Sequence, residues 1–323
     1  MKPGISVVIP NFNGKALLES NLPSVFSALQ ASDLDYEVIV CDDCSSDNSV
    51  EFLKQTYPQV NLVLNSHNSG FSTNINSGFR KAKLEWVLAL NNDVSLAPDY
   101  FSSLLSHFES KDTFGVMGAL LDPKSQAVTD GAKLAEQSFF GVIRSTRNIV
   151  RENGAPLSTF FLSGANALMD RKKLLTLGFF DEVFDPYYNE DVELSLRAWR
   201  MGWKCVFEPR AVAYHASSST IQKIAKRNKI RIVSLRNRFV LHDIHLGAPK
   251  RLLFFGKLAL DLLTRWLSCD WGFYKAFLEY RHRKPAIESS KVRLKDLKPV
   301  FSLAEVIASV RKDQLKTPHR VFS

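Results

Sequence analysis

"YEVIVCDDCSSDNSVEFLKQTY", residues 36–57, is the stretch on which the fold turns. Val38, Ile39 and Val40 stand side by side without polar alternation, the pattern of a strand covered on both faces. Asp42 to Asp47 then make a polar turn, and an Asp/Asn/Ser cap opens a helix over 47–57. A buried strand running at once into a capped helix is half of a βαβ crossover.

The same unit recurs on either side. "ISVVI" (5–9) leads into helical spacing over 14–30, and "VNLVLN" (60–65) into "STNINSGFRKA" (72–82). "EWVLAL" (85–90) leads into "PDYFSSLLSHFE" (98–109), with a proline in the first helical turn, and "FGVMGAL" (114–120) is a fifth strand. Strict alternation predicts an α/β fold: a Rossmann-like, mainly parallel sheet flanked by helices. Further on, 160–170 reads as a buried strand, 187–202 as a helix stopped by Gly202, and 203–209 and 211–215 as two short strands.

In such sheets ligands bind beyond the carboxyl ends of the strands. Four polar sets lie there: Asn11 to Gly14, Asp42 to Asp47, Asn65 to Gly70, and Asn91 to Asp93. Each has a plain structural reading as a capped turn. Asp43 could instead accept hydrogen bonds from a base or ribose, and Asp93 could hold a hard divalent cation, which often takes only one or two carboxylates when phosphates complete its shell. Glu190 and Asp191 open a predicted helix, where the dipole favours ionised acids. An ionised carboxylate in a cleft can act as a general base. His215 closes a short strand, as a structural histidine or as a metal or phosphate contact.

With 323 residues, 45% of them hydrophobic, the chain can bury a full core. Four scattered cysteines suggest a reducing compartment, and the lone pair Cys41/Cys44 lacks the further ligands that zinc needs. The apolar stretch in "MKPGISVVIP" is too short for a signal peptide, and no run of about 18 uncharged apolar residues occurs. The expected location is therefore cytoplasmic. Net charge is +9 overall, but residues 216–323 carry 23 Lys and Arg against 8 Asp and Glu, leaving the first 215 residues acidic. A basic end favours an anionic surface. Residues 223–244 and 248–268 are helical candidates, the second with a broad apolar face and a narrow charged stripe of Lys257, Asp261 and Arg265.

In this order the motifs resemble the family 2 glycosyltransferases of the GT-A fold. "SVVIPNFNG", "VIVCDDCSSDNS", "NSGFSTNINSGFRKA", "LALNNDV" and "LGFFDEVFDPYYNEDVELSLRAWRMGWK" carry the likeness across residues 5 to about 215. The resemblance implies a catalytic domain over 1–215, with a nucleotide-binding half to about 120 and an acceptor half after it, and a basic helical region over 216–323. It implies that Pro10, Asn11 and Asp43 bind the nucleotide. It implies that Asp93, with His215, serves a Mg2+ or Mn2+ ion, that Glu190 shapes the acceptor side, and that Asp191 is the catalytic base of an inverting transfer from a nucleotide sugar. The family's DxD is reduced here to Asn91-Asn92-Asp93, and Glu193 replaces the Asp of a frequent E-D-x-D. No Gln-x-x-Arg-Trp follows residue 215, which argues against a processive synthase. Arg236-Asn237 resembles a pair in rhamnosyltransferase-like members.

The expected acceptor is a glycan or a polyprenyl-linked molecule of cell-surface polysaccharide synthesis. The helices over 248–284 are expected to meet the inner face of a membrane, or else the catalytic domain or a second copy in a homo-oligomer; nucleic acid is not an expected partner. A catalytically silent nucleotide-sugar-binding module is the alternative from another class. A nucleotidyltransferase is less favoured, since "NFNGKALLES" offers only one Gly and one Lys for a phosphate loop.

Overall fold

The computed structural model describes residues 3–144, 147–215 and 227–322. The alternation is present as expected: β1 (Gly4–Asn11), α1 (Lys15–Ala31), β2 (Asp35–Asp42), α2 (Ser49–Thr56), β3 (Asn61–Leu64), α3 (Phe71–Phe79) and β4 (Trp86–Leu90). β1 pairs in parallel with β2 on one side and β4 on the other, and β2 pairs in parallel with β3. Successive side chains of β1 and β2 enter opposite faces. Val8, Ile39 and Cys41 join one hydrophobic cluster with Ile75 and Phe79 of α3. Ile5, Val7, Ile9, Val38 and Val40 join another with Leu18, Leu22 and Leu29 of α1. Burial on both faces is why these strands read as unbroken apolar runs.

The chain continues through β5 (Val94–Leu96), β6 (Thr113–Leu121), β7 (Asn166–Asp170), α4 (Arg171–Leu177), α5 (Glu190–Arg200) and β8 (Lys204–His215). Across the sheet the order is Leu157–Ser158, β8, β6, β7, β4, β1, β2, β3. β7 is antiparallel to both β4 and β6, while β8 is parallel to β6. The sheet is mixed but mainly parallel.

Three expected elements differ. Residues 98–109 hold turns and only a short 3-10 helix, Leu105–Glu109. Tyr100, Ser102, Leu104 and His107 donate their amides three residues back, and the Ser102 and Ser106 hydroxyls bond nearby carbonyls, so local bonds replace the α-helical ladder. The strand expected over 160–170 starts only at Asn166, because Ser163, Gly164 and Ala165 leave the sheet to line a cleft. The two strands expected over 203–215 are one, with a register shift between Glu208 and Val212.

Beyond the sheet come α6 (Arg227–His245), α7 (Ala248–Thr264), α8 (Trp271–His282), α9 (Lys284–Asp296) and α10 (Leu303–Gln314). The start of the helix expected from 223 lies outside the described residues, as do 216–222. Ile232, Phe239, Tyr280, Ile287 and Val306 share one core with Leu194 and Leu196 of α5. A last strand, His319–Phe322, pairs with Asn148–Arg151. The basic region is thus woven into the segment between β6 and β8. No helix among the described residues is long and apolar enough to cross a membrane.

An ion pair fixes α5 in that core. Arg197 is 1% exposed. Its Nε lies 2.9 Å from both Glu193 carboxylate oxygens, and its remaining donors reach the carbonyls of Leu177 and Phe179. Burial alone would raise the Glu193 pKa, but the Arg197 charge overrides it and holds the carboxyl at about 2. Arg197→Met strands a buried carboxylate and is expected to cost about 3–5 kcal/mol in urea unfolding. A loss below about 1 kcal/mol would show that the pair is replaceable.

Candidate active site

β1 is the strand from which the parallel sheet extends both ways, to β2 and to β4, and the crevice opens at the carboxyl ends of these three. It holds a cleft of about 630 Å³. All seven residues singled out in the sequence line it: Pro10, Asn11, Asp43, Asp93, Glu190, Asp191 and His215. Residues with no sequence-based expectation line it too, among them Phe12, Phe71, Tyr187, Tyr188 and Lys229.

On the β1–β2 side, adjacent carboxylates part company. Asp42 turns inward and takes bonds from the Ser45 amide (2.8 Å), the Ser45 hydroxyl (2.6 Å) and Asn11 Nδ2 (2.9 Å). Asp43, the next residue along, takes bonds from Asn65 Nδ2 (3.0 Å) and the amides of Ser69 (3.0 Å) and Gly70 (3.1 Å). It therefore shapes the loop ahead of α3 while still bordering the cleft. Asp47 bonds the amides of Lys15 and Ser49, tying the starts of α1 and α2 together. Asn11 Oδ1 accepts from Asn92 Nδ2 (2.9 Å), and Gly14 lies so near both side chains that any Cβ there would collide with them.

On the β4 side, Asn91 and Asn92 also line the cleft, and their backbone is tied down: the Asn91 main-chain amide bonds the Ala165 carbonyl, and the Asn92 carbonyl accepts from Asn21. Asp93 is buried. Its Oδ2 lies 3.2 Å from His215 Nε2, and its Oδ1 has no hydrogen-bond partner. β5 explains the meeting: it starts just after Asp93 and pairs with β8 so that Val94 lies opposite His215. The hydrogen bond to Asp93, outweighing burial, raises the His215 pKa. Among the described residues no cluster of three His, Cys, Asp or Glu could enclose a metal. An unpartnered carboxylate oxygen beside an imidazole suits a hard cation whose other ligands come with a phosphate-bearing ligand. The donor set thus fits Mg2+ or Mn2+ held jointly, not a closed protein site.

The third wall is the loop before α5. Tyr188 (φ 78°) and Asn189 (φ 73°) are consecutive left-handed residues, a conformation costing each about 1–3 kcal/mol. The amide of Asn237, on α6, holds them: Nδ2 lies 2.6 Å from the Phe184 carbonyl, 2.9 Å from that of Tyr187 and 2.8 Å from that of Tyr188. Arg236 and Arg283 both bond the Asp185 carbonyl. The Asp185 carboxylate in turn receives the Ser72 amide (2.8 Å) and the Thr73 hydroxyl (2.6 Å) at the head of α3. Gly70 (φ +100°) packs so closely there that a Cβ would lie 2.7 Å from Asp185 Oδ1. The Arg236-Asn237 pair thus faces the loop's backbone, and neither residue lines the cleft.

The loop delivers Glu190 and Asp191 at the head of α5. Burial raises Asp191 from 3.8 to about 6, against the opposing pull of its bond from the Val192 amide. Burial, then the charge of Asp191, pushes Glu190 well above the ordinary carboxylate range, and Glu190 Oε2 has no partner. Glu193, two positions on and on another side of the helix, is in the core with Arg197 instead. The unfolded Asp191 releases its proton near 3.8 and the folded one near 6. Its contribution is therefore nil well below pH 4, and a penalty grows as pH rises through that window. Asp191→Asn is expected to stabilise the ligand-free protein by about 1–3 kcal/mol at pH 8 and by nothing at pH 3.5, read by thermal unfolding. A gain that does not change with pH would contradict the assignment.

The family model described as Glycosyl transferase family 2 matches residues 6–178. A chondroitin synthase of Escherichia coli is 26% identical over 242 residues, 66% of this chain but 34% of its own length. An N-acetylglucosaminyl-diphospho-decaprenol L-rhamnosyltransferase of Mycobacterium tuberculosis (strain CDC 1551 / Oshkosh) is 26% identical over 259 residues, 71% of this chain and 83% of its own. The crystal structure of GalNAc-T7 with UDP, GalNAc and Mn2+ superposes with a TM-score of 0.71 over 97% of this chain and 57% of that one, at 15% identity. The fold is GT-A, and the chain belongs to the family 2 glycosyltransferases.

Proposed function

We propose that this glycosyltransferase moves a sugar from a nucleoside-diphosphate donor to a hydroxyl of a glycan or lipid-linked acceptor, with inversion, in cell-surface polysaccharide synthesis. The observation that carries the reading is the convergence of Asp43, Asp93 and Asp191 on one cleft from three separate segments. Pro10, Asn11 and Asp43 border the nucleotide. Asp93 and His215 would hold a divalent cation, Mg2+ or Mn2+, together with the donor diphosphate. When bound, the cation neutralises charge on the departing diphosphate. The rhamnosyltransferase relative, named for a diphospho-decaprenol acceptor, favours a lipid-linked acceptor here.

The chain's own residues do the rest. The Asp191 carboxylate takes the proton of the acceptor hydroxyl. The oxygen bonds to the anomeric carbon on the face opposite the diphosphate, and the bond to the diphosphate breaks with its electron pair leaving on that group. Burial, and after it the charge of Asp191, raises the Glu190 pKa well above the ordinary carboxylate range and so favours its protonated form. In that form Glu190 can donate a hydrogen bond to the acceptor while Asp191 accepts one. A silent binding module would have no use for a buried, proton-poised acid beside the sugar.

Asp191→Asn is expected to cut transfer by about 10²–10⁴-fold while nucleotide-sugar binding by calorimetry stays near wild type. Wild-type turnover in that variant would remove Asp191 as the base. Because the base must be ionised, kcat/KM falls as pH drops below about 6. A flat profile between pH 5 and 8 counts against it. Asp93→Asn and a chelator should each weaken donor binding and turnover, and undiminished activity in chelator would remove the metal role of Asp93.

A further inference from the structure

α7 leaves one face unpartnered. Phe254 and Leu258 are buried against the body, Phe254 stacking on His242 of α6 with ring centroids 4.5 Å apart. On the other side Leu252 (77% exposed), Leu260, Leu263 (72%) and Leu267 recur at helical spacing, with Trp266 beside them. Gly256, on the same face, has open space where a Cβ would stand. The face carries no charge, since Lys257 and Asp261 lie along its flank and pair with each other at 2.5 Å.

The surface is longer than the helix. At one end, the tip of the turn between Gln137 and Ile143 exposes Phe139 (71%) and Phe140. The Lys250 Nζ bonds the Phe139 carbonyl at 3.0 Å, which sets this tip against the first turn of α7. At the other end, Asp270 bonds both Arg265 (2.9 Å) and Arg231 (2.6 Å), which brings Trp266, Leu267 and the exposed Trp271 beside the start of α6. Lys229, two residues from Arg231, lines the catalytic cleft. An apolar strip thus runs from the Phe139–Phe140 tip to the edge of the cleft.

Cations border the strip. Arg238 of α6 and Arg144, the second residue of the strand that follows the turn, are both exposed, and among the described residues no carboxylate lies within ion-pair distance of either. Exposed arginines without a carboxylate partner, beside an uncharged apolar face, match an interface with acyl chains below and anionic headgroups around them. The Trp residues fit the same boundary, where an amphipathic ring has one apolar side and one wet one.

We infer that α7 and the Phe139–Phe140 tip dock on an anionic lipid bilayer, and that docking presents the Lys229 edge of the cleft to the phosphate-bearing head of a membrane-embedded acceptor. The inference rests on the transfer reading above for its acceptor, though not for the docking itself. The bilayer supplies the apolar partner for the leucines, and Lys229 supplies a cation where the acceptor's phosphate must pass.

The test is sedimentation of the full chain with vesicles of phosphatidylglycerol and phosphatidylethanolamine, against phosphatidylcholine alone, at low and high salt. Wild type is expected to partition about tenfold or more in favour of the anionic vesicles, and to lose that preference in high salt. A Leu260→Asp/Leu263→Asp variant, whose positions are exposed and do not enter the core, should lose binding by about tenfold or more. Phe139→Ser/Phe140→Ser should weaken it independently. Absence of binding by wild type at low salt overturns the inference. So does equal binding by the leucine variant, or a wild-type dimer in light scattering that the variant abolishes while vesicles capture neither. Nucleotide-sugar binding, measured in the same samples without vesicles, is expected to match between wild type and variant. Its absence from wild type would sink the transfer reading and leave the sedimentation result standing.

Discussion

The side-chain amide of Asn237 is shared among three carbonyls, those of Phe184, Tyr187 and Tyr188, and the rest of the site depends on that clamp. Two consecutive left-handed residues with side chains do not hold themselves in place. The three carbonyls meet on this one amide only when the loop takes this path, so loop and clamp specify each other. Once the loop is set, Glu190 and Asp191 must emerge at the head of α5, beside the cleft and partly out of water. The raised pKa values of both acids follow from that position.

The clamp also explains why a basic helical region stays packed on the sheet domain. Asp185 bonds α3 with its side chain and takes Arg236 and Arg283 with its carbonyl. One residue thus joins the nucleotide-side helix to α6 and to the start of α9. Its carboxyl is buried and raised to about 6, at some cost to stability, which the hydrogen bonds from Ser72 and Thr73 offset in part. Asp243, fully buried on α6, gathers Arg251, Lys284 and Lys291 and so binds α7 and α9 to the same helix. Much of the positive charge in the last third is spent inside the protein in this way.

The sequence carried the sheet well because β1, β2, β4 and β6 are buried on both faces, and an unbroken apolar run has few other uses. It failed where tertiary contacts override local pattern. Residues 98–109 have helical composition, but their serines bond the backbone and β5 pulls the preceding segment onto β8. In the site, the carboxylates at strand ends were legible because the fold class says where ligands bind. Asp42 and Asp43 looked alike in sequence, and only the alternation of side chains along the chain end sends one into the turn and the other toward the cleft. Asp185, Tyr187, Tyr188, Lys229 and the clamp role of Asn237 were not legible. Each depends on segments that are neighbours only after folding, and nothing in "DPYYNED" or "SLRNRF" announces the partner.

The proposed transfer is a single displacement, with one base, Asp191, on one side of the sugar and the diphosphate near Asp93 on the other. The anomeric configuration of the first product, read by proton NMR before any equilibration, tests this most directly. From a donor whose sugar is α-linked to the diphosphate, the account predicts a β-linked product. An α-linked product would require a second nucleophile or a same-face reaction, and would contradict it.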